Sequence, residues 1–461
     1  MSQMLKQSRY NIFYNIDGED WLFNTSNLGL VQIGLSIIKY LTNETIDLGD
    51  CPVDVKDELE ELEEGGFLTQ INVDELKVLR YIYDTDKHNK DFLSITILPT
   101  LDCNCCCYYC FEIENTLRTR KSGLGSLLDI EKEVLVFLES KIQETKNLSV
   151  AWFGGEPLLR FDVIEYFSSK IIDIANKYGV NYTASLTTNG YYLSSIPDIV
   201  HRLKQCHIDS FQITLDGAPE DHNQIRRLKN NSGTTFNKML EGIELLYRSS
   251  FNISVRINVS KKNYKNLTKL FDILEDKGLK NLKIYFGQLI DYSDSYHSQL
   301  YFSQEEYAKA IEELYSLLKK RKFRYGLDDH YPVNARPCIA NRIDSAIIDC
   351  FGNIYKCRSQ VGEFEKRIGN VCELNNQTID EALREINWFE WNPFQYSKCR
   401  ECVYLPLCMG GCPYSLYDDD DALPKCDAWK YNLEFFIKQK IFSLKEEAVY
   451  EKSEEQDSSC T

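Results

Sequence analysis

The 461-residue chain is too long for one small core, and its 43% apolar content is ordinary for a globular protein of two or three domains. A formal charge of -17 argues against a nucleic-acid partner and against an anionic membrane surface. MSQMLKQSRY has no apolar signal core and LGLVQIGLSII is too short to span a bilayer, so a cytoplasmic location is expected, where 17 cysteines suit metal ligation better than disulfides.

RYNIFYNIDGEDWLFNT alternates apolar and polar residues on both sides of Asp17-Gly18, a hairpin signal. LGLVQIGLSIIKYL reads as a helix. PVDVKDELEELEEGGFLTQ reads as a second helix, with Pro52 near its start and Gly65-Gly66 at its end, followed by a short strand. Hairpin, helices and closing strand predict a winged-helix-like unit over residues 1–75, and residues 76–91 read as a linker. From residue 92 six β-branched runs appear: FLSITILPT, LSVAWF, YTASLTT, SFQITLD, ISVRINVS and LKIYFG. Helical stretches such as IEKEVLVFLESKIQETK separate most of them. The alternation predicts an α/β fold with parallel strands and crossover helices over residues 92–329. Between 330 and 435 cysteine, glycine and proline become dense. Residues 436–461 read as a helix end and an acidic, disordered tail.

LDCNCCCYYCFE holds five cysteines between Cys103 and Cys110. Cys103/Cys106 and Cys107/Cys110 have the C-x2-C spacing of a zinc site. Alternatively Cys103, Cys107 and Cys110 form C-x3-C-x2-C, which leaves Cys105 and Cys106 as bystanders and one corner of a metal centre open. Gly154-Gly155-Glu156-Pro157 follows the second run, and Thr187 to Gly190 follows the third. Leu215-Asp216-Gly217 follows the fourth, with His222 and Arg226 downstream. Each motif alone is usually a turn. Together they deliver polar or glycine-rich loops to the C-terminal ends of four successive strands, where α/β barrels carry their chemistry. Arg256 and Asn258 alternate along one strand and so share a face.

This order of motifs resembles the radical S-adenosylmethionine enzymes over roughly residues 92–290. The resemblance implies a partial (β/α)6, TIM-like barrel. Cys103, Cys107 and Cys110 would hold three irons of a [4Fe–4S] cluster, and the fourth iron would bind the amino and carboxylate groups of S-adenosylmethionine. It further implies that Tyr109 lies against the adenine and that Gly154 and Gly155 let backbone carbonyls approach the methionine ammonium. Glu156 would accept from that ammonium, Thr188 and Asn189 would meet the ribose, and Arg226 would pair with the methionine carboxylate.

Downstream, Cys338-x13-Gly352-x4-Cys357, Cys399-x2-Cys402-x5-Cys408-x3-Cys412 and Cys426 resemble the Cys-rich SPASM extension of the same enzymes. That resemblance implies two auxiliary [4Fe–4S] clusters, hence three in all. Cys399, Cys402, Cys408 and Cys426 would bind one completely. Cys338, Cys357 and Cys412 would bind the other, one ligand short, with Asp344, Cys350 or a substrate thiolate to complete it. Cys51, Cys206, Cys372 and Cys460 match nothing.

SPASM-bearing relatives include peptide modifiers. The expected activity is thioether crosslinking of a ribosomally made precursor peptide, with the N-terminal unit taking the precursor's leader as an added strand. A 5'-deoxyadenosyl radical would remove hydrogen from a substrate carbon, a cysteine sulfur would join that carbon, and the surplus electron would leave through an auxiliary cluster. The expected reductant is a one-electron carrier such as flavodoxin or ferredoxin. The alternatives are carbon–carbon crosslinking, formylglycine-forming sulfatase maturation, and a non-catalytic iron–sulfur or zinc peptide binder. The sulfatase-maturating branch typically has Asp after the cysteine equivalent to Cys357, where this chain has Arg358.

Overall fold

This computed structural model describes residues 4–110, 125–230, 233–289, 298–324, 331–374, 376–417 and 424–458. The expected domain boundary at 329/330 and Cys460 lie outside the described residues. The N-terminal region supplies β1 (Met4–Gln7), β2 (Asn11–Ile16), β3 (Glu19–Asn24), β4 (Leu30–Gln32), β5 (Ile46–Asp47) and β6 (Leu68–Gln70). They form two antiparallel sheets, ordered β5-β1-β6 and β2-β3-β4. The β2–β3 hairpin turns at Asp17 and Gly18, whose φ of 53° and 82° suit the right-handed twist of the strands.

The unit departs from the expected winged-helix plan. The hairpin stands outside the sheet that carries the helices Leu35–Leu41 and Val53–Glu64. Those helices close a core with Leu5, Ile46 and Leu68 from β1, β5 and β6. The first helix is also half its expected length, because Leu30–Gln32 is strand and Gly34 begins the helix. Residues 76–91 do not form a linker. Glu75–Lys87 is a helix whose N-cap, Asp74, accepts from the Lys77 amide. It buries Leu79 and Tyr83 against Phe394, Leu405 and Met409.

The next six strands run in parallel, each beside its successor: β7 (Phe92–Ile97), β8 (Asn147–Trp152), β9 (Asn181–Thr188), β10 (Ile208–Thr214), β11 (Asn252–Val259) and β12 (Lys283–Gln288). Alternate residues, such as Ile95, Val150, Leu186, Ile213 and Val255, are wholly buried under crossover helices. The opposite face carries small or polar residues, including Ser149, Ser185, Gln212 and Ser254, and is partly exposed. All six C-terminal ends therefore reach one rim.

The Cys-rich region continues the same sheet. β13 (Ser345–Ile348) lies parallel to β7, then β14 (Asn353–Tyr355) and β15 (Gly369–Asn370) follow antiparallel, giving nine strands. The stretch expected to be a disordered tail is instead mostly helical, within Trp429–Ser458. Leu433, Ile437 and Ile441 of this helix bury against Trp21 and Phe23 of the hairpin, and its later turns are rich in Glu and Lys, residues of high helix propensity. Among the described residues no helix is long and apolar enough to cross a membrane.

Candidate functional site

The strand-end loops close on one another at the rim. The Gly155 amide donates to the Thr100 carbonyl at 3.3 Å and the Glu156 amide to Asp102 at 2.8 Å. A Cβ on Gly154, which has φ +123°, would lie 2.4 Å from the Thr100 oxygen, and one on Gly155 would lie 2.3 Å from the Asp102 oxygen. Both glycines therefore let the loop after β8 lie against the backbone leading into the cysteine loop. Residues 104–106 are pinned from the other side, with Cys106 donating to the Arg227 carbonyl and Lys229 to the Asn104 carbonyl, each at 2.8 Å.

Glu156 is fully buried and joins two loops. Its carboxylate accepts from the Leu158 amide at 3.0 Å, the Thr188 hydroxyl at 2.7 Å and the Asn189 amide at 2.8 Å. Burial raises its pKa, and these three donors oppose the rise. Three of the roughly four lone-pair positions of a carboxylate are thus filled from within the chain. Thr188 is likewise turned toward Glu156. Asn189 donates to Asn104 Oδ1 at 2.7 Å and approaches Cys103 Sγ at 3.8 Å, so it supports the cysteine loop directly.

Tyr109 is held by its hydroxyl. Arg226 donates to it at 2.7 Å and Asn258 at 3.0 Å, while the hydroxyl itself donates to Asp216. Asp216 is fully buried, accepts from the Asn258 amide at 2.9 Å, and lies 3.6 Å from Arg226. His222 is also wholly buried and accepts from the Asp216 amide at 3.2 Å, and burial pushes its pKa well down. Arg256 donates to Asn258 at 2.8 Å, which extends the network along the inner face of β11. Asp216 is the group that sequence reasoning passed over. Its only sequence signal was a carboxylate at the fourth strand end, indistinguishable there from a turn residue.

The cysteine loop suits an anionic group. Cys103 Sγ accepts from the Cys105 amide at 3.4 Å, and hydrogen bonding from the Cys105 side chain lowers the Cys103 pKa against burial. Burial pushes Cys107 up to about 12. Arg226 Nε and Asn104 Nδ2 are buried donors with no partner among the described residues. Orphan donors beside three cysteines fit a cluster with thiolate ligands and a carboxylate-bearing cofactor. Among the described residues no three Cys, His, Asp or Glu side chains converge closely enough for a single ion. A cube spreads its thiolates over separate irons.

The C-terminal cysteines fall into two groups. Cys399, Cys402, Cys408 and Cys426 line one cavity of about 60 Å³. Cys338, Cys357 and Cys412 are mutual electrostatic neighbours. The two internal candidates for a fourth ligand to this trio are placed differently. Pairing of Ile347 with Tyr355 puts Cys357 level with Ser345, at the open end of the β13–β14 hairpin. Cys350 sits in the turn at its closed end, about five residues or roughly 16 Å away. There it packs with Leu98 and Leu101. Asp344 is at the right end, but its carboxylate is forked to Arg342 at 3.0 and 2.8 Å.

Comparisons with known proteins agree with this geometry. Residues 97–274 match the radical SAM superfamily. The chain is 26% identical over 341 residues to a cysteine-type anaerobic sulfatase-maturating enzyme of Clostridium novyi, covering 69% of this chain and 87% of that protein. Its fold is similar to native anSMEcpe with bound AdoMet and Cp18Cys peptide, with a TM-score of 0.56, 19% identity, and coverage of 78% of this chain and 99% of that one. Streptococcus suis SuiB bound to precursor peptide SuiA has a TM-score of 0.50 at 14% identity, over 92% of this chain and 98% of that one. The convergent loops around Cys103, Cys107 and Cys110 thus lie within the stretch, residues 97–274, that matches the radical SAM superfamily, whose cofactors are S-adenosylmethionine and a [4Fe–4S] cluster.

Proposed function

We propose that the chain is a peptide maturase, which joins a cysteine sulfur of a ribosomally made precursor to a carbon as a thioether. The observation that carries this reading is the trio Cys338, Cys357 and Cys412. The three lie together while Cys350 is at the far end of its hairpin and Asp344 is clamped by Arg342. A cluster held there would keep one iron for an external ligand, and a substrate thiolate is the ligand this chemistry requires. Cys103, Cys107 and Cys110 would hold the first cluster, which with S-adenosylmethionine would supply hydrogen-abstracting radical chemistry. Glu156 and Asn189 fix the loop that carries those cysteines. Asp216, Tyr109, Asn258 and Arg226 hold the opposite rim, where Arg226 Nε, a buried donor with no partner among the described residues, would pair with the cofactor's carboxylate.

Peptide recognition rests on the N-terminal region. Among the described residues β6 pairs only with β1, which leaves its other edge open. Beside it, Leu68, Gln70, Val78, Leu79 and Ile82 line a groove of about 440 Å³. An extended leader can add to that edge and set alternate apolar side chains against the helix Glu75–Lys87. SuiB was solved with a precursor peptide, which agrees with such a partner.

The test is co-expression with each short cysteine-containing reading frame beside the gene, followed by mass spectrometry. A thioether product has lost two hydrogens and resists thiol alkylation at one cysteine. Absence of any modified peptide, despite S-adenosylmethionine cleavage, would sink the reading. Sulfatase maturation is the second reading, favoured by the similarity to the Clostridium novyi enzyme. It predicts instead an aldehyde on a cysteine of a sulfatase-derived peptide.

A further inference from the structure

One buried ammonium ties the loop after Cys338 to the strand that leads into Cys357. Lys356, the residue before Cys357, is 1% exposed. Its Nζ donates to the Arg342 carbonyl at 2.6 Å, the Ser345 carbonyl at 2.8 Å and the Ser345 hydroxyl oxygen at 2.9 Å. That hydroxyl gives its own hydrogen to the carbonyl of Ile339, the first residue of the turn after Cys338, at 2.5 Å. Acceptors that offer no hydrogen need one donor each, so the amine is held with all its hydrogens, as an ammonium. It also lies 5.0 Å from the ring centroid of Phe389. Its contacts among the described residues are thus carbonyls, a hydroxyl and a ring. Burial disfavours the charge, and Glu385 and Asp344 favour it from beyond contact. Asp344 is itself taken by Arg342.

This charge stands beside the trio Cys338, Cys357 and Cys412. Burial raises the Cys338 pKa, and the Ala340 amide and Lys356 oppose the rise. Tyr83, from the helix Glu75–Lys87, supplies a second donor. Its hydroxyl is buried with no hydrogen-bond partner among the described residues, and burial and the nearby Cys338 both raise its pKa. A buried donor left unpaired is costly until an acceptor arrives. A cluster on three thiolates is anionic and becomes more so on reduction, so buried positive charge and hydrogen bonds to its sulfurs raise its reduction potential. We propose that Lys356 and Tyr83 are positioning residues for that cluster: the ammonium binds two of its ligand segments together and holds its potential up, and the Tyr83 hydroxyl donates to a sulfur beside Cys338. In the reaction proposed above, a carbon radical and a thiolate bring one electron more than the new bond needs, and a raised potential favours uptake of that electron here. The proposal rests on the reading that this trio holds a cluster, but not on the product being a thioether.

The test needs no precursor. Full-length chain carrying Cys103→Ala, Cys107→Ala and Cys110→Ala is reconstituted anaerobically, so that only the auxiliary clusters remain, with about eight irons expected per chain. A redox titration followed by electron paramagnetic resonance then gives their two midpoint potentials. In this background K356M should lower one midpoint by about 59 mV or more, tenfold in a one-electron equilibrium, and leave the other in place. K356R, which keeps the charge, should restore most of the shift. K356Q keeps a donor toward the same carbonyls and removes only the charge, so it is the variant to read where K356M assembles poorly, and it should move the same midpoint in the same direction. Y83F should lower that midpoint too, by less. A merely structural lysine would change iron content or stability without this shift. Both midpoints unmoved in K356M and K356Q, at about eight irons, overturn the proposal and leave the cluster standing. About four irons in the parent chain, with a single midpoint, would instead remove the cluster from the trio and the proposal with it.

Discussion

Gly155 has backbone where a side chain would go. Gly155→Ala would push a methyl group into the Asp102 carbonyl, and overpacking of this kind costs about 1–3 kcal/mol. Denaturant unfolding of the iron-free protein should show that loss, and the reconstituted variant should hold less iron at the first cluster. The cysteines of the same loop divide by what anchors them. Cys105 and Cys106 sit where backbone pairing with residues 227–229 fixes the chain whatever the side chain. The double change to Ala should keep S-adenosylmethionine cleavage, whereas changing Cys103, Cys107 and Cys110 together should abolish it. Loss of the cluster in the Cys105/Cys106 variant would show that the wrong triad was chosen. Asp349, buried in the β13–β14 turn, offers a test by pH. Burial raises its pKa from 3.8 to about 6, against hydrogen bonds from Asn353 and the Phe351 amide. The folded state thus binds this proton more tightly than the unfolded one. Its contribution is fully present below about pH 4 and is lost as pH rises through 6, up to about 3 kcal/mol. Asp349→Asn should flatten that part of the stability profile of the iron-free protein, and an unchanged slope would reject the assignment.

At the scale of elements, the helix Glu75–Lys87 has two faces with two uses. Leu79 and Tyr83 are buried against Phe394 and Leu405, while Val78 and Ile82 are about half exposed beside the open edge of β6. Val78→Glu with Ile82→Glu should weaken leader binding by at least about tenfold, because two apolar side chains leave the interface. Substrate-independent cleavage of S-adenosylmethionine should survive. Fluorescence anisotropy with a labelled leader measures the first, and chromatography of 5'-deoxyadenosine the second. Unchanged leader affinity would remove the groove from the account. These elements also mark how far the sequence could be read. The six parallel strands were legible because β-branched runs alternating with long helical stretches admit few other folds. That Cys399, Cys402, Cys408 and Cys426 come together was legible because short spacing keeps most of those thiols near one another. The linker was misread because Leu79 and Tyr83 find their partners some 300 residues further on, and no local pattern records that. β1 and β5 were missed because four and two residues are too few to show a period. The role of Glu156 as a clasp was hidden for the same reason, since Thr188 and Asn189 meet it only after the crossover from β8 to β9.

Across the whole molecule the acidity is uneven. Residues 1–75 hold fifteen acidic side chains against four basic ones. If this unit takes a leader, that leader is basic, and its affinity should fall as salt shortens the reach of charge to about 10 Å at 0.1 M. A titration between low and moderate salt measures this, and a flat response would mean that the acidic surface is only solvated. Metal content is the companion measurement. Ten motif cysteines in three groups should hold three [4Fe–4S] clusters, about twelve irons per chain after anaerobic reconstitution. Stoichiometric zinc with little iron would contradict the assignment of all three groups.

The pairing of β13 with β7 sets a schedule for biosynthesis. β7 is the first strand of the nine-stranded sheet to leave the ribosome, and Ser94 waits for Ser345 to fill its second side. At about 5–20 residues per second the nascent half-barrel keeps an unpaired strand edge for some tens of seconds. That edge lies directly before the cysteine loop, so the thiols and the strand that positions them stay uncovered through the same interval. Yield in a host should therefore depend on what shields this edge during synthesis as much as on iron supply. Slower translation, which lengthens the exposure, should lower the soluble fraction even when iron is plentiful.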